Sequence, residues 1–380
     1  MSFGQGMVFP VVPLLSDQFD VSPGLAAQVV TLLTLGRVVG LIPAGFIVDR
    51  FGRTQAMAVG AIIATLSAIT AAYATIFIAL LVAQFTWGMG YSLWQTGREV
   101  AAVETVRADQ RGRVMSVLFG ITAAGTSIGP ALGGVLGDFF GLRTLFLVFG
   151  VMGLIVFTIA ITLRVPPAPQ IRTDQKFMLF GDIREIPSGY RVTFVVLIIA
   201  TFMATLRMNA INSMMPIYMG SHLGYSATTI GFLFGIIGMV TMLMILPAGL
   251  ISDKLGRKKA TVPPALIAAG TFFFFPFIET FSLLVVLAIF MGISHGMALG
   301  SLTTYAYDII PGSSRGRLQA MRRSIGEIGG VTAPLSGGVL AMAYHPGIAF
   351  IVFAPFQLLA GFLLARIAKE TLVGKSPKVS

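Results

Sequence analysis

Two trios of charged side chains stand at matching places in the sequence. Asp49, Arg53 and Glu104 form one, and Asp253, Arg257 and Asp308 form the other, each member returning 204 residues later, as from position 49 to 253. In both trios the arginine follows the first acid by four residues, one helical turn, within reach of its carboxylate. Such a cluster can hold two elements together through charge-assisted hydrogen bonds and release when they part. Gly45, Arg50 and Gly52 accompany the first trio, and Gly249, Lys254 and Gly256 the second. With no side chain at Gly45 or Gly249, the sequence predicts that a neighbouring helix approaches closely there. A separate acid, Glu327, falls inside an apolar stretch, where an ionisable group is costly and can serve to carry a proton; an ion pair with Arg323, one turn earlier, is the other reading. Arg37, Arg98 and Arg207 also fall inside apolar stretches. Of these, Arg207 is the best placed for a substrate or coupling role, and Arg98 reads as structural.

The elements that must position these groups are membrane helices. The chain has 380 residues, 56% of them hydrophobic and 11% charged, with mean hydropathy +0.88. A soluble domain carries about 25% charged residues. The apolar stretches fall at 1–16, 24–48, 54–72, 76–103, 114–137, 143–163, 191–218, 226–250, 260–278, 282–306, 318–342 and 347–366, giving twelve predicted spans. The 204-residue offset also relates Arg111-Gly112-Arg113 to Arg315-Gly316-Arg317, and Pro130 with Gly133-Gly134 to Pro334 with Gly337-Gly338. A constant offset over separate blocks marks an internal duplication, six spans per copy. The expected domains are a six-helix bundle at 1–165, a linker at 166–190, a second bundle at 191–368 and a tail at 369–380.

Orientation follows from lysine and arginine. With the Asp49–Arg53 loop on the cytoplasmic side, the inner loops and tail hold 22 of the 26 basic residues, and Arg143 is the only one in an outer loop. Both termini are therefore expected inside, in a multi-pass protein of the plasma or inner membrane. The first span is short: by the repeat, position 1 pairs with position 205, whereas the seventh span begins near Arg191. The first span is thus expected to lack its opening turns.

The pattern Gly-x-x-x-Asp-Arg-x-Gly-Arg at Gly45–Arg53, repeated with lysine in the first basic position at Gly249–Arg257, resembles the major facilitator superfamily over essentially the whole chain. The resemblance implies an all-α membrane protein of two six-helix bundles related by a pseudo-two-fold axis. It implies a monomeric secondary transporter working by alternating access, with the trios as a cytoplasmic latch. The fifth span carries Gly125, Gly129, Pro130, Gly133 and Gly134, similar to the family's antiporters and especially its drug exporters. That favours efflux of a small organic molecule driven by protons. Uptake of a nutrient or metabolite by symport or facilitated diffusion is the alternative, and a non-transporting receptor or scaffold a third reading. Gln84 stands where family drug exporters carry an arginine, which puts proton antiport in doubt or moves the role elsewhere, Glu327 being the candidate.

In this family the first, fourth, seventh and tenth spans line the central cavity. Gln84, Trp87, Tyr91, Trp94 and Arg98 recur at intervals of 3, 4, 3 and 4, which puts them on one helix face. Gln5, Arg207, Asn209, Asn212, His295 and Tyr305 complete the candidate cavity, a mixed aromatic and amide lining suited to an amphipathic molecule. Packing is the competing reading for any one aromatic residue.

Other chemistries lack their residues. No Gly-x-x-x-x-Gly-Lys-Ser/Thr phosphate loop occurs, so the chain itself is not expected to be ATP-driven. His222, His295 and His345 are far apart in sequence, without metal-ligand spacing, and there is no cysteine. No cofactor, metal or catalytic constellation is expected, so the chain does not read as an enzyme. The net charge of +11 lies in short loops between apolar helices, which argues for the bilayer and against nucleic acid as partner.

Overall fold

A computed structural model describes residues 1–104, 106, 111–162, 181–311 and 314–371, with the side chains of 103–104, 111–113, 115–116, 119, 181–182 and 315–316 outside the description. Most of the expected linker, and the tail beyond 371, therefore lie outside the described residues, as does the side chain of Glu104.

The described chain is helical, and the helices follow the apolar runs. They are α1 (Ser2–Val8), α2 (Val12–Phe19), α3 (Pro23–Ala26), α4 (Gln28–Phe51), α5 (Arg53–Ala72), α6 (Phe77–Glu104) and α7 (Arg111–Thr162), then α8 (Arg191–Ile217), α9 (Ala227–Leu255), α10 (Arg257–Phe274), α11 (Phe281–Ala298), α12 (Ser301–Ile309), α13 (Arg315–Ala343) and α14 (Ile348–Arg366). Among the described residues, ten stretches are long and apolar enough to cross a membrane. One of them, Gly120–Thr162, has 43 residues, a length of roughly 65 Å at about 1.5 Å per residue against about 30 Å of hydrocarbon. It holds two crossings, because Gly141 (φ 77) breaks the helix where the fifth and sixth spans are expected to meet.

Two further breaks have local causes. Pro10 and Pro13 lack backbone donors, and the first stretch divides there into α1, a 3₁₀ turn at Phe9–Val11 and α2. The tenth span is expected as one helix over 282–306, yet α11 ends at Ala298 and α12 restarts at Ser301, with Gly300 (φ 85) between them.

Two compact units emerge. The first comprises 1–174, 209–238 and 331–349, and the second 175–208, 239–330 and 350–380. The core of the first unit is built from Met7, Val11, Leu33, Leu80, Trp87, Phe146 and Phe149. That of the second gathers Phe194, Leu197, Tyr305, Ile309, Leu318 and Leu364.

Candidate functional site

The second trio assembles around one guanidinium. Arg257 donates from Nε to Asp308 Oδ2 at 2.7 Å and from Nη1 to Asp253 Oδ1 at 2.8 Å. Nη1 also donates to Ser252 Oγ at 2.7 Å. The cluster holds two residues that sequence reasoning assigned only to the tail, Glu370 and Thr371. Glu370 accepts the backbone N–H groups of Arg257 and Lys258 at 2.9 and 3.0 Å. Those donors belong to the first turn of α10 and have no partner within the helix, and a carboxylate there also meets the positive end of its dipole. A Cβ on Gly256 would stand 2.7 Å from Glu370 Oε2, so only glycine leaves room for this cap. Thr371 adds a hydroxyl donated to Asp308 Oδ2 at 2.8 Å. Lys254 points to solvent.

In the first trio Arg53 is buried while Asp49 and Arg50 are exposed. The Arg50 guanidinium lies over the rings of Phe46 and Phe51 at 5.7 and 5.6 Å. Gly52 (φ 92) ends α4, a left-handed position that glycine adopts without strain. At Gly45 and Gly249 a Cβ would meet no atom within 4 Å among the described residues.

The glycines of the fifth span do pack. Cβ atoms on Gly129 and Gly133 would collide with the backbone oxygens of Phe3 and Met7 on the first stretch. On another face, a Cβ on Gly134 would strike the backbone of Ala227, and one on Gly231 that of Pro130, so α7 and the first turns of α9 touch main chain to main chain. Asp138 secures this seam by accepting the backbone N–H groups of Ala227 and Thr228 at 3.2 and 2.7 Å. Gly125 lies looser, its added Cβ 3.1 Å from Phe3 N.

The aromatic stripe forms as the spacing predicts. Trp87 and Tyr91 have ring centroids 5.3 Å apart, and Tyr91 and Trp94 5.8 Å. Its upper members belong to the core: Trp87 also meets Phe149 at 5.1 Å, and Tyr91 OH is within 3.1 Å of Ser2 Oγ. At its lower end Trp94 and Arg98 line a cavity of about 350 Å³ in the first unit, together with Met1, Ser2, Phe3, Leu118, Ile121, Thr122 and Gly125. Gln5 and Gln84 are buried; Oε1 of Gln84 and Nε1 of Trp87 find no hydrogen-bond partner among the described residues.

The remaining candidates scatter by role. Arg207 is buried in the second unit, where Nη1 donates to Ser294 Oγ at 2.8 Å and to the Pro264 carbonyl at 3.5 Å. Tyr305 is fully buried and donates to the Lys369 carbonyl, so its hydroxyl ties α12 to the segment after α14. Asn209 and Asn212 are buried in the first unit, Asn209 Oδ1 accepting from Thr34 Oγ1 at 3.4 Å. His295 and Glu327 are half-buried.

Besides the Glu370 cap, sequence reasoning missed two arrangements. Arg322, expected in a cytoplasmic loop, is 2% exposed in α13 and donates to Thr201 Oγ1 at 2.6 Å, Gln319 Oε1 at 2.9 Å and Thr303 Oγ1 at 3.0 Å. His222 and His345, distant in sequence, meet edge to face with ring centroids 4.1 Å apart, beside Tyr218. Burial and the neighbouring His222 hold the His345 imidazole below its ordinary value. No short motif announced either arrangement, since their partners lie on different helices.

The sequence has counterparts among known proteins. The family model of the Major Facilitator Superfamily matches residues 1–193 and 197–379. Multidrug resistance protein 2 of Bacillus subtilis (strain 168) is 20% identical over 375 residues, 97% of this chain and 92% of the relative. The cis,cis-muconate transport protein of Acinetobacter baylyi is 26% identical over 372 residues, covering 93% and 87%. The putative niacin/nicotinamide transporter of Bacillus subtilis is 22% identical over 371 residues, covering 96% and 92%. A match running through nearly every residue, on a chain of apolar helices with a duplicated acid–arginine–acid cluster, leaves one assignment: this integral, multi-pass membrane protein belongs to the major facilitator superfamily, a family of transporters and not of enzymes.

Proposed function

We propose that the chain exports a small organic molecule by proton antiport, alternating access between two six-helix bundles, 1–165 and 191–368, with both termini in the cytoplasm. The trios Asp49/Arg53/Glu104 and Asp253/Arg257/Asp308 serve as the cytoplasmic latch, and Glu327 carries the proton. The observation that carries this reading is the seam on α7. Gly129 and Gly133 seat the first stretch on one face, while Pro130 and Gly134 seat the start of α9, remote from Asp253, on another. A flat joint without interlocking side chains can close and part with little repacking. The name of the multidrug resistance relative supports export.

The test is uptake into inside-out vesicles prepared from cells that express the chain. Export by antiport predicts that accumulation of a lipophilic dye collapses on adding an uncoupler, and that Glu327→Gln removes the dependence on the pH gradient. Accumulation that ignores the uncoupler would refute the coupling.

Uptake of a nutrient or metabolite by symport is the second reading. Gln84 in place of the exporters' arginine favours it, as do relatives named for cis,cis-muconate and for niacin/nicotinamide transport.

A further inference from the structure

The face opposite Asp253 is closed by two seams that are copies of each other. The first compact unit takes in 209–238 and 331–349, so the start of α9 and the end of α13 pack with the first half of the chain. At α9, Gly134 on α7 meets the backbone of Ala227 and Thr228. At α13, Gly338 meets Gly24, and a Cβ on either would strike the carbonyl of the other. Gly134 and Gly338 are 204 residues apart, and so are Gly24 and Thr228, the offset of the duplication. The caps repeat as well: Ser226 Oγ accepts the N–H of Thr229 at 3.2 Å, and Ser22 Oγ that of Leu25 at 3.3 Å. Asp253 stands 26 residues beyond Ala227 along α9, about 39 Å at about 1.5 Å per residue.

One residue breaks the symmetry. Asp138 reaches from α7 to the head of α9, where Oδ1 accepts the N–H of Ala227 at 3.2 Å and Oδ2 that of Thr228 at 2.7 Å. Those donors have no partner within their own helix, and the helix dipole favours a negative charge there. In the other seam Met342 stands at the position matching Asp138, and Pro23 at the position matching Ala227. Proline brings no N–H to a first helical position, so that helix start has one donor fewer to satisfy, and the Met342 side chain lies against Gly24 instead. Asp138 is exposed, and the glycines make the close approach without it. Small residues let backbones meet but interlock nothing; the carboxylate supplies the attraction.

We propose that Asp138 is the clasp of the outer gate. By capping α9 from α7 its carboxylate holds that seam shut, and letting go of Ala227 and Thr228 opens the face opposite Asp253. The copy at Gly24 and Gly338 has no carboxylate at the matching position. It is held by packing and by Gln28, whose Nε2 donates to the carbonyls of Gly24 and Pro334 at 3.2 and 3.4 Å. The proposal rests on the alternating-access reading above and adds to it the residue that weights the closed state.

Single-cysteine labelling tests this on the full chain, which has no cysteine of its own. Thr34 is buried on α4, six residues in from Gln28, and donates to Asn209 Oδ1, so it lies behind the seams. Thr34→Cys is treated with a membrane-impermeant maleimide in intact cells and in inside-out vesicles. Ser221→Cys, exposed in the turn before α9, reports which preparation reaches that face. From that face Thr34→Cys should label slowly. Asp138→Ala should speed it about tenfold, equivalent to about 1.4 kcal/mol, and Asp138→Asn, which keeps one acceptor oxygen, by less. Thr65→Cys, buried on α5 against Gly153, should stay unlabelled throughout, which a merely loosened fold would not allow. Labelling of Thr34→Cys unmoved by Asp138→Ala, or Thr65→Cys speeding in step with it, would overturn the clasp. If Asp138→Ala does not reach the membrane, Asp138→Asn decides. Asp138-dependent labelling in a chain that exports no dye would uphold the gate and sink the export reading, whereas export with Thr34→Cys labelling unmoved would sink the gate alone.

Discussion

The Glu370 carboxylate closes the first turn of α10 by accepting the backbone N–H of Arg257 at 2.9 Å, while the Arg257 side chain turns back to Asp253 and Asp308. Arg257 thus joins the segment after α14 to the charged cluster, its backbone held from one side and its guanidinium from the other. Removing the cap with Glu370→Ala should cost about 1 kcal/mol, the usual worth of a helix cap, read as a lower melting temperature. Gly256→Ala should cost more, because its new Cβ stands 2.7 Å from Glu370 Oε2 and its φ is 116°, a backbone strain of about 1–3 kcal/mol.

The two acids bonded to Arg257 are not equivalent. Asp253 is 70% exposed and Asp308 27%. Water competes with the first bond more than with the second, and exposed ion pairs contribute about 0–1 kcal/mol. Asp308→Asn should therefore lower the melting temperature more than Asp253→Asn. Both should change the transport rate if the cluster is a latch. A rate unchanged in both variants would reduce the trio to a topology signal.

The glycines separate fold from function. A Cβ at Gly45 or Gly249 meets nothing within 4 Å, so Gly45→Ala and Gly249→Ala should keep or raise stability, alanine being favoured in helices by up to about 1 kcal/mol. If the transport cycle brings a helix against these positions, both variants lose rate without losing stability. Gly134→Val, by contrast, forces α7 from Ala227 and should lower rate and melting temperature together.

Acid should loosen the turn between α13 and α14. Neutral His345 accepts the Gly347 N–H on Nδ1 at 3.0 Å, and burial and His222 favour that neutral form. A base whose folded value lies below its unfolded one, near 6.5, binds protons more readily when unfolded, so stability falls as pH drops below about 6.5 and is fully present above it. Hydrogen exchange around 343–348 should quicken at pH 5 relative to pH 7.5. His222→Gln, which removes a like-charged neighbour, should shrink the difference.

How much of this was readable depended on where the information lay. The offset from Asp49 to Asp253 is local pattern repeated, and it located both loops and the pairing of Arg257 with Asp308. The stripe from Trp87 to Trp94 was likewise legible, because helical period alone puts those rings on one face. What they face was not legible: Phe149 closes over Trp87, and nothing in the helix's own sequence says so. Arg322 escaped for a related reason. It sits in a charged run that reads as a loop, and its acceptors Thr201 and Thr303 come from other helices. Glu370 escaped because a cap supplied from over a hundred positions away leaves no motif.

Arg207 and Arg98 are both arginines inside apolar helices, and the sequence favoured Arg207 for the substrate. In the structure its Nη1 is spent on Ser294 Oγ, whose hydroxyl passes its own proton to the Pro264 carbonyl at 2.6 Å. Ser294 is thus both acceptor and donor, tying α8, α10 and α11 together through one hydroxyl. Ser294→Ala leaves a buried guanidinium and a carbonyl each short of a partner, a loss of about 1–3 kcal/mol. The melting temperature should fall, while the KM for transported substrate stays where it was. A Ser294→Ala variant that melts normally yet fails to bind substrate would return Arg207 to the binding site.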